Sequence, residues 1–189
     1  MFKNVRLETE RLVVRPFESD DAAALHGVVS QEEVMKYLPE DAMSMEEVRH
    51  VISWLADCYQ KNTRECILKF TLAVVLKENE RLIGWCGLGP LEFSPEEIEI
   101  FYGLSEDQWG KGIATEAARA VLRYGFETLK LDRIVAVTDP RNAASLKVIE
   151  KLGMIYRKKV ENLPEKYSHY EGCLYYSLSR EEYFDPAGG

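Results

Sequence analysis

Apolar positions along the 189-residue chain change their period several times, and each change marks an element. Arg11 to Phe17 alternates and is rich in β-branched residues, which predicts a strand. Pro16 and the acidic run from Glu18 to Asp21 then open a helix through Ala22–Val29, and Pro39 ends the segment that follows. Ser44 with Glu47 three residues on is a capping box, and Val48, Ile52 and Leu55 recur at helical spacing behind it, predicting a helix to about Lys61. Ile67 to Leu76 reads as a strand, Lys77 to Glu80 as a polar turn, and Arg81 to Leu88 as the hairpin partner. After Pro95, Glu97 to Leu104 alternates as a further strand, and Ile113 to Leu129 is a long amphipathic helix with Ala117, Val121, Leu122 and Phe126 on its apolar side. Arg133 to Thr138 is a short strand and Ala143 to Leu152 a helix stopped by Gly153, while Ile155 to Lys159 and Leu174 to Leu178 complete the sheet.

The order β-α-α-β-β-β-α-β-α-β-β predicts an α/β (α+β) protein: a mixed, strongly twisted sheet with helices on both faces, unlike a regular Rossmann alternation. No repeat, low-complexity tract or Gly/Pro/Ser-rich linker interrupts the pattern, so residues 1–189 read as one domain.

Composition narrows the function classes. Hydrophobic content of 46% and charged content of 30% suit a globular chain. A net charge of −8 argues against a broad nucleic-acid surface. The same charge is compatible with a cationic substrate, though it more often reflects solubility. Cys58, Cys66, Cys86 and Cys173 lie far apart without a C-x-x-C pair, which predicts reduced structural thiols and no metal site. The opening residues lack an apolar leader and no segment approaches a spanning length, so a cytoplasmic location away from membranes is expected.

Ser105 to Leu122 carries the strongest chemical signal. It joins a strand to a long helix through Trp109, Gly110, Lys111, Gly112, Ile113 and Ala114. Glycines let backbone amides approach a ligand, and the helix start adds a positive dipole end, so the turn suits a diphosphate, with Lys111 and the Thr115 hydroxyl available to assist. A turn of this kind can equally bind nothing. It lacks the G-K-S/T of a P-loop and a full G-x-G-x-x-G, which disfavours nucleoside triphosphates and nicotinamides.

A second patch follows a short strand: Asn142 and Ser145, then Glu150-Lys151-Leu152-Gly153-Met154. Together with the glycine turn it resembles the GNAT superfamily of N-acetyltransferases. Leu7 to Phe17 (LETERLVVRPF), with Asp20 and Asp21, is similar to the opening of the branch that holds the ribosomal-protein N-terminal acetyltransferases, the RimJ/RimL-like group. The resemblance runs from about Leu7 to Leu178.

That resemblance implies an acetyl-CoA co-substrate held where two central parallel strands splay apart. The pantetheine arm would pair with the edge from Tyr102 to Leu104, the diphosphate would rest on the amides of Gly110 to Thr115, and Asn142 would bond the arm, with Ser145 one helical turn on. Asn142 can serve as a helix N-cap at the same time. The implied reaction is direct attack of a primary amine on the thioester, with the Tyr102 main-chain N–H facing the oxyanion and Glu99 as base. Alternation puts Glu97 and Glu99 on one face and Ile98 and Ile100 on the other. Glu99 can also simply solvate that face, and Glu97 is the reserve.

Where many members of the family place an acidic tyrosine, this chain has Ile149, so Ser145 or water is left to protonate the leaving thiolate. A helical serine can also bond back to a carbonyl. Trp54, Trp85, His26 and His50 read as core, rim or surface, and His169 lies in a polar stretch that, by resemblance, overhangs the acceptor. The acceptor is a protein N-terminus, ribosomal among the options, or a small cationic amine, and the chain is a monomer or homodimer. The competing reading is a catalytically weak acyl-CoA-binding sensor or partner module.

Overall fold

Eight strands form one sheet in the order β1-β2-β3-β4-β5-β6-β8-β7. The computed structural model describes residues 2–37 and 42–185, so the stop expected at Pro39 lies outside the described residues. The strands are β1 (Leu7–Glu8), β2 (Leu12–Pro16), β3 (Phe70–Leu76), β4 (Leu82–Leu91), β5 (Ser94–Leu104), β6 (Arg133–Thr138), β7 (Ile155–Lys159) and β8 (Leu174–Ser179). The helices are α1 (Ala22–Val29), α2 (Glu32–Met35), α3 (Met45–Lys61), α4 (Ile113–Arg123), α5 (Ala143–Lys151) and α6 (Arg180–Phe184). The pair β5/β6 is parallel and the other neighbours are antiparallel, which makes the sheet mixed.

All seven residues of β3 are buried, so both faces of the sheet are covered at its centre. On one face, α4 and its continuation lie over Leu88 and Ile134, which would stand 3.3 and 2.7 Å from a Cβ on Gly125. On the other, Arg15 shares a face with Ala73 and Trp85 through the sheet register, and its guanidinium grips Asp21 at the start of α1. The capping box of α3 forms as expected: Ser44 Oγ accepts from the Glu47 amide, and the Glu47 carboxylate accepts from Ser44 N.

Four predicted boundaries move, one of them in β4, which runs on to Leu91 where Leu88 is expected. The strand expected from Ile67 begins at Phe70, because Asn62 takes the Leu68 amide and the Lys69 carbonyl into a loop at 2.8 Å each. The strand expected from Glu97 begins at Ser94, as a tight hairpin pairs Leu91 with Ser94. The helix expected to run unbroken to Leu129 is α-helical only to Arg123 and widens to π geometry over Tyr124–Leu129. That widening falls where Gly125 admits the side chain of Ile134. The short elements β1, α2 and α6 carried no pattern long enough to predict.

Candidate active site

The central opening follows from register. Among the described residues β5 pairs with β6 only at Glu99↔Val135, whereas its pairing with β4 continues to Gly84↔Leu104. Past Glu99 the β6-facing edge of β5 is therefore unpaired by β6 through Tyr102 to Leu104, although the Leu104 carbonyl there already accepts the Trp109 indole N–H. Strands that share one pair and then part form a wedge whose backbone groups want a partner.

The glycine turn sits at the wide end of this wedge. Gly110 and Gly112 take φ of +74° and +76°, values that strain any side-chain-bearing residue, and Gly110, Lys111 and Gly112 are exposed. Gly112 is the N-cap of α4, so the amides of Ile113, Ala114 and Thr115 precede any intrahelical acceptor. The Ile113 and Thr115 side chains are buried, which leaves their main chain to face a ligand. The Trp109 indole N–H donates to the Leu104 carbonyl at 2.8 Å, and the residue is 44% exposed. Lys111 Nζ reaches Gln108 Oε1 at 3.4 Å.

The entry to the turn is fixed by Asp107, whose carboxylate accepts a two-pronged Arg81 contact at 2.7 and 3.1 Å and the Ser105 hydroxyl at 2.6 Å. Those bonds, Arg81 first, hold its carboxyl well below the usual range.

Glu116, in the first turn of α4, accepts from Thr9 Oγ1 at 2.6 Å, Arg11 N at 2.9 Å and Arg11 Nε at 2.7 Å. Partial burial pushes its pKa up, but the Thr9 and Arg11 bonds outweigh this and leave it below the ordinary value. A lowered folded pKa adds stability that is complete above the unfolded carboxyl pKa of about 4.3 and is lost as pH falls through the folded value. The melting-temperature gap between wild type and Glu116→Gln is expected to be widest near neutrality and to shrink on acidification to about pH 3. A gap of constant width across that range contradicts the ion-pair account.

On the α4 side of β5, Tyr102 Oη lies 3.0 Å from Ser145 Oγ and 3.4 Å from the Ser145 carbonyl. Burial raises the Tyr102 phenol, so it stays protonated at neutral pH. Asn142 caps α5, its Oδ1 accepting from Ser145 N at 3.0 Å. One cap thus holds the serine, and the serine meets the tyrosine.

Glu99 is half-buried on the opposite face of β5, with Phe101 and Gly103. Its charge is felt by the Tyr102 phenol and the Cys173 thiol. Glu97, the reserve base, is already engaged, because its carboxylate accepts the Tyr175 hydroxyl.

Ile149 is 1% exposed, a core position with no acid to offer. Cys58, Cys86 and Cys173 are buried free thiols raised by desolvation, and Cys66 is exposed and free. No group of three His, Cys, Asp or Glu suited to a metal exists among the described residues. No helix there is long and apolar enough to cross a membrane. His169 is exposed, 3.6 Å from Glu92, on a segment anchored by Phe93 against Tyr167 and Tyr170. His26 stands by Ser30, and His50 and Trp54 are exposed. Trp85 lies across Gly103, where a Cβ would meet its ring at 2.3 Å.

The chain has known counterparts. The family model described as the acetyltransferase (GNAT) domain matches residues 11–155. The chain belongs to the GNAT acetyltransferase family. The crystal structure of a GNAT-family acetyltransferase from Bacillus anthracis superposes with a TM-score of 0.76 at 31% identity, covering 94% of this chain and 100% of that one. The uncharacterized N-acetyltransferase p20 of Bacillus licheniformis is 31% identical over 94% of this chain and 97% of its own. The FsC-acetyl coenzyme A-N(2)-transacetylase of Aspergillus fumigatus is 29% identical over 94% and 77%. This GNAT protein is accordingly an acetyl-transferring enzyme, and its fold is the family's mixed sheet with a splayed centre.

Three side chains at this site lie beyond the reach of the sequence: Arg11 on Glu116 and the Lys111 carbonyl, Thr9 on Glu116, and the Tyr102 phenol on Ser145. No local pattern announces contacts made across 105 and 43 residues of chain.

Proposed function

We propose that the enzyme transfers acetyl from acetyl-CoA to a primary amine by direct attack on the thioester. The observation that carries this reading is that the β5 edge opens just past Glu99 and runs straight into an exposed, left-handed glycine turn at a helix start. The open edge suits the amides and carbonyls of a pantetheine arm, and the turn suits the diphosphate. Asn142 spends its oxygen on Ser145 and keeps its Nδ2 donors for the arm.

The faces of β5 divide the chemistry. Glu99 first takes one proton from the ammonium on one side, directly or through water, and the neutral amine nitrogen then bonds the carbonyl carbon. The Tyr102 N–H faces the developing oxyanion. As the C–S bond breaks, Ser145, held by the Tyr102 phenol, donates to the departing sulfur and recovers its proton through water from the nitrogen, which loses its second proton on becoming an amide. A protein α-amine titrates at about 7.7–8.0 and a lysine-like amine at about 10.4, so the base has more to do for the latter.

Relatives point to several amines. The spermidine N(1)-acetyltransferase of Escherichia coli is 26% identical over 74% of this chain. YdaF of Bacillus subtilis, provisionally named a ribosomal N-acetyltransferase, is 27% identical over 92%. The net charge of −8 suits a cationic acceptor of either kind. The deciding experiment is a thiol-release assay with acetyl-CoA against peptides bearing ribosomal-protein N-termini and against polyamines. Turnover of at least one amine is expected; acetyl-CoA that binds but is never consumed across the panel would refute the reading.

Ser145→Ala and Tyr102→Phe are each expected to lower kcat by ~10-fold, below the usual range for acid–base groups, because a thiolate is a good leaving group. Acting as a unit, the double variant should fall no further than either single one, and additive losses would separate their roles.

A further inference from the structure

Thr9 and Arg11 take no part in the chemistry above, yet four of their hydrogen bonds end on the glycine turn and the first turn of α4. Thr9 Oγ1 and Arg11 N both reach Glu116 Oε1, at 2.6 and 2.9 Å. Arg11 Nε reaches Glu116 Oε2 at 2.7 Å, and another guanidinium nitrogen reaches the Lys111 carbonyl at 3.0 Å. The strand that carries these groups is itself anchored, since the Lys77 amide donates to the Arg11 carbonyl at 2.9 Å.

Two consequences follow from elementary geometry and charge. The Lys111 carbonyl and the Gly112 N–H belong to one planar peptide and point in opposite directions. Drawing the carbonyl toward Arg11 therefore turns the Gly112 N–H to the side opposite Arg11. Glu116 also sets a carboxylate at the helix end where an anion is to bind, and like charges there repel. The guanidinium cancels that charge while leaving the helix dipole free to act. Its nearest approach to a Cβ on Gly112 would be 3.8 Å, so it lies against the bare side of that glycine.

We propose that Arg11 is a positioning residue for the diphosphate of the acyl donor, acting through Glu116 and the Lys111–Gly112 peptide. The inference rests on the donor reading given above. It is tested by titrating wild type, Arg11→Gln and Arg11→Lys with acetyl-CoA and with S-acetylpantetheine, which carries the same thioester without the diphosphate. Arg11→Gln is expected to weaken acetyl-CoA by ~10-fold, the scale of losing charge-assisted hydrogen bonds, while S-acetylpantetheine binding stays within about twofold. Arg11→Lys keeps the charge but not the fork and should recover part of the loss.

A merely structural arginine would depress both donors together. Equal losses, or full retention of the preference for acetyl-CoA in Arg11→Gln, overturn the proposal. Should that variant not fold, a few-fold fall in preference for Arg11→Lys supports the proposal and no fall overturns it. A wild type that binds both donors equally would instead refute the diphosphate site itself.

Discussion

Glu99→Gln is expected to lower kcat by at least ~100-fold while the KM for acetyl-CoA stays within about twofold. Glutamine keeps the shape and hydrogen-bonding reach of the residue but cannot take a proton from an ammonium. The position explains why the loss should fall on kcat: Glu99 sits where β5 and β6 part, on the face opposite Tyr102 and Ser145. It can thus address an incoming amine without meeting the sulfur. The loss should be steeper for a polyamine than for a peptide α-amine, because the more basic amine depends more on a base. Steady-state kinetics with an acceptor from the thiol-release screen measure both effects. Retention of wild-type kcat would remove Glu99 from the mechanism. Glu97→Gln is the internal control, since that carboxylate already accepts the Tyr175 hydroxyl and its replacement should act mainly on stability.

Gly84→Ala is expected to destabilise the fold by ~3–5 kcal/mol, combining backbone strain with overpacking, and to lower Tm by roughly 6–20 °C. Two faults arise from one methyl group. The backbone at Gly84 has φ of +153°, which L side chains rarely adopt, and a Cβ there would stand 2.1 Å from the Gly103 carbonyl oxygen and 2.8 Å from Leu104 Cα. Neither partner is a flexible side-chain tip, so relief requires β4 and β5 to separate. The register also slips beside this residue, Val74 pairing with Gly84 and Val75 with Leu82, which marks a bulge that bends the sheet. Gly103 and Leu104 are the end of the edge assigned to the pantetheine arm, so the surviving folded fraction should also bind acetyl-CoA more weakly. Thermal unfolding and donor titration test the pair of effects together. A variant as stable as wild type would show that the strands can part at little cost.

The elements most legible beforehand are those whose causes are local. Ser44 and Glu47 form a capping box whatever the rest of the chain does, and α3 starts behind them. Ala22–Val29 and Arg133–Thr138 match the predicted bounds because each is set by short-range periodicity between strong breakers. Gly153, at φ of +77°, ends its helix for the same kind of reason. The boundaries that moved have causes outside the periodic stretch itself: Asn62, six and seven residues back, claims the backbone of Leu68 and Lys69, a tight hairpin pairs Leu91 with Ser94, and Gly125 accommodates Ile134 of the next strand.

The candidate site divides in the same way. Glycines, helix start, capping asparagine and the alternation that separates Glu99 from Tyr102 are properties of short segments, and the chain alone specified them because steric limits and periodicity act within a few residues. Tertiary structure decided that β5 and β6 part after Glu99, that the Tyr102 phenol finds Ser145, and that Arg11 reaches across to Glu116 and Lys111. Those contacts depend on which segments the sheet brings side by side, and that is settled by the packing of the whole core rather than by any stretch of the chain.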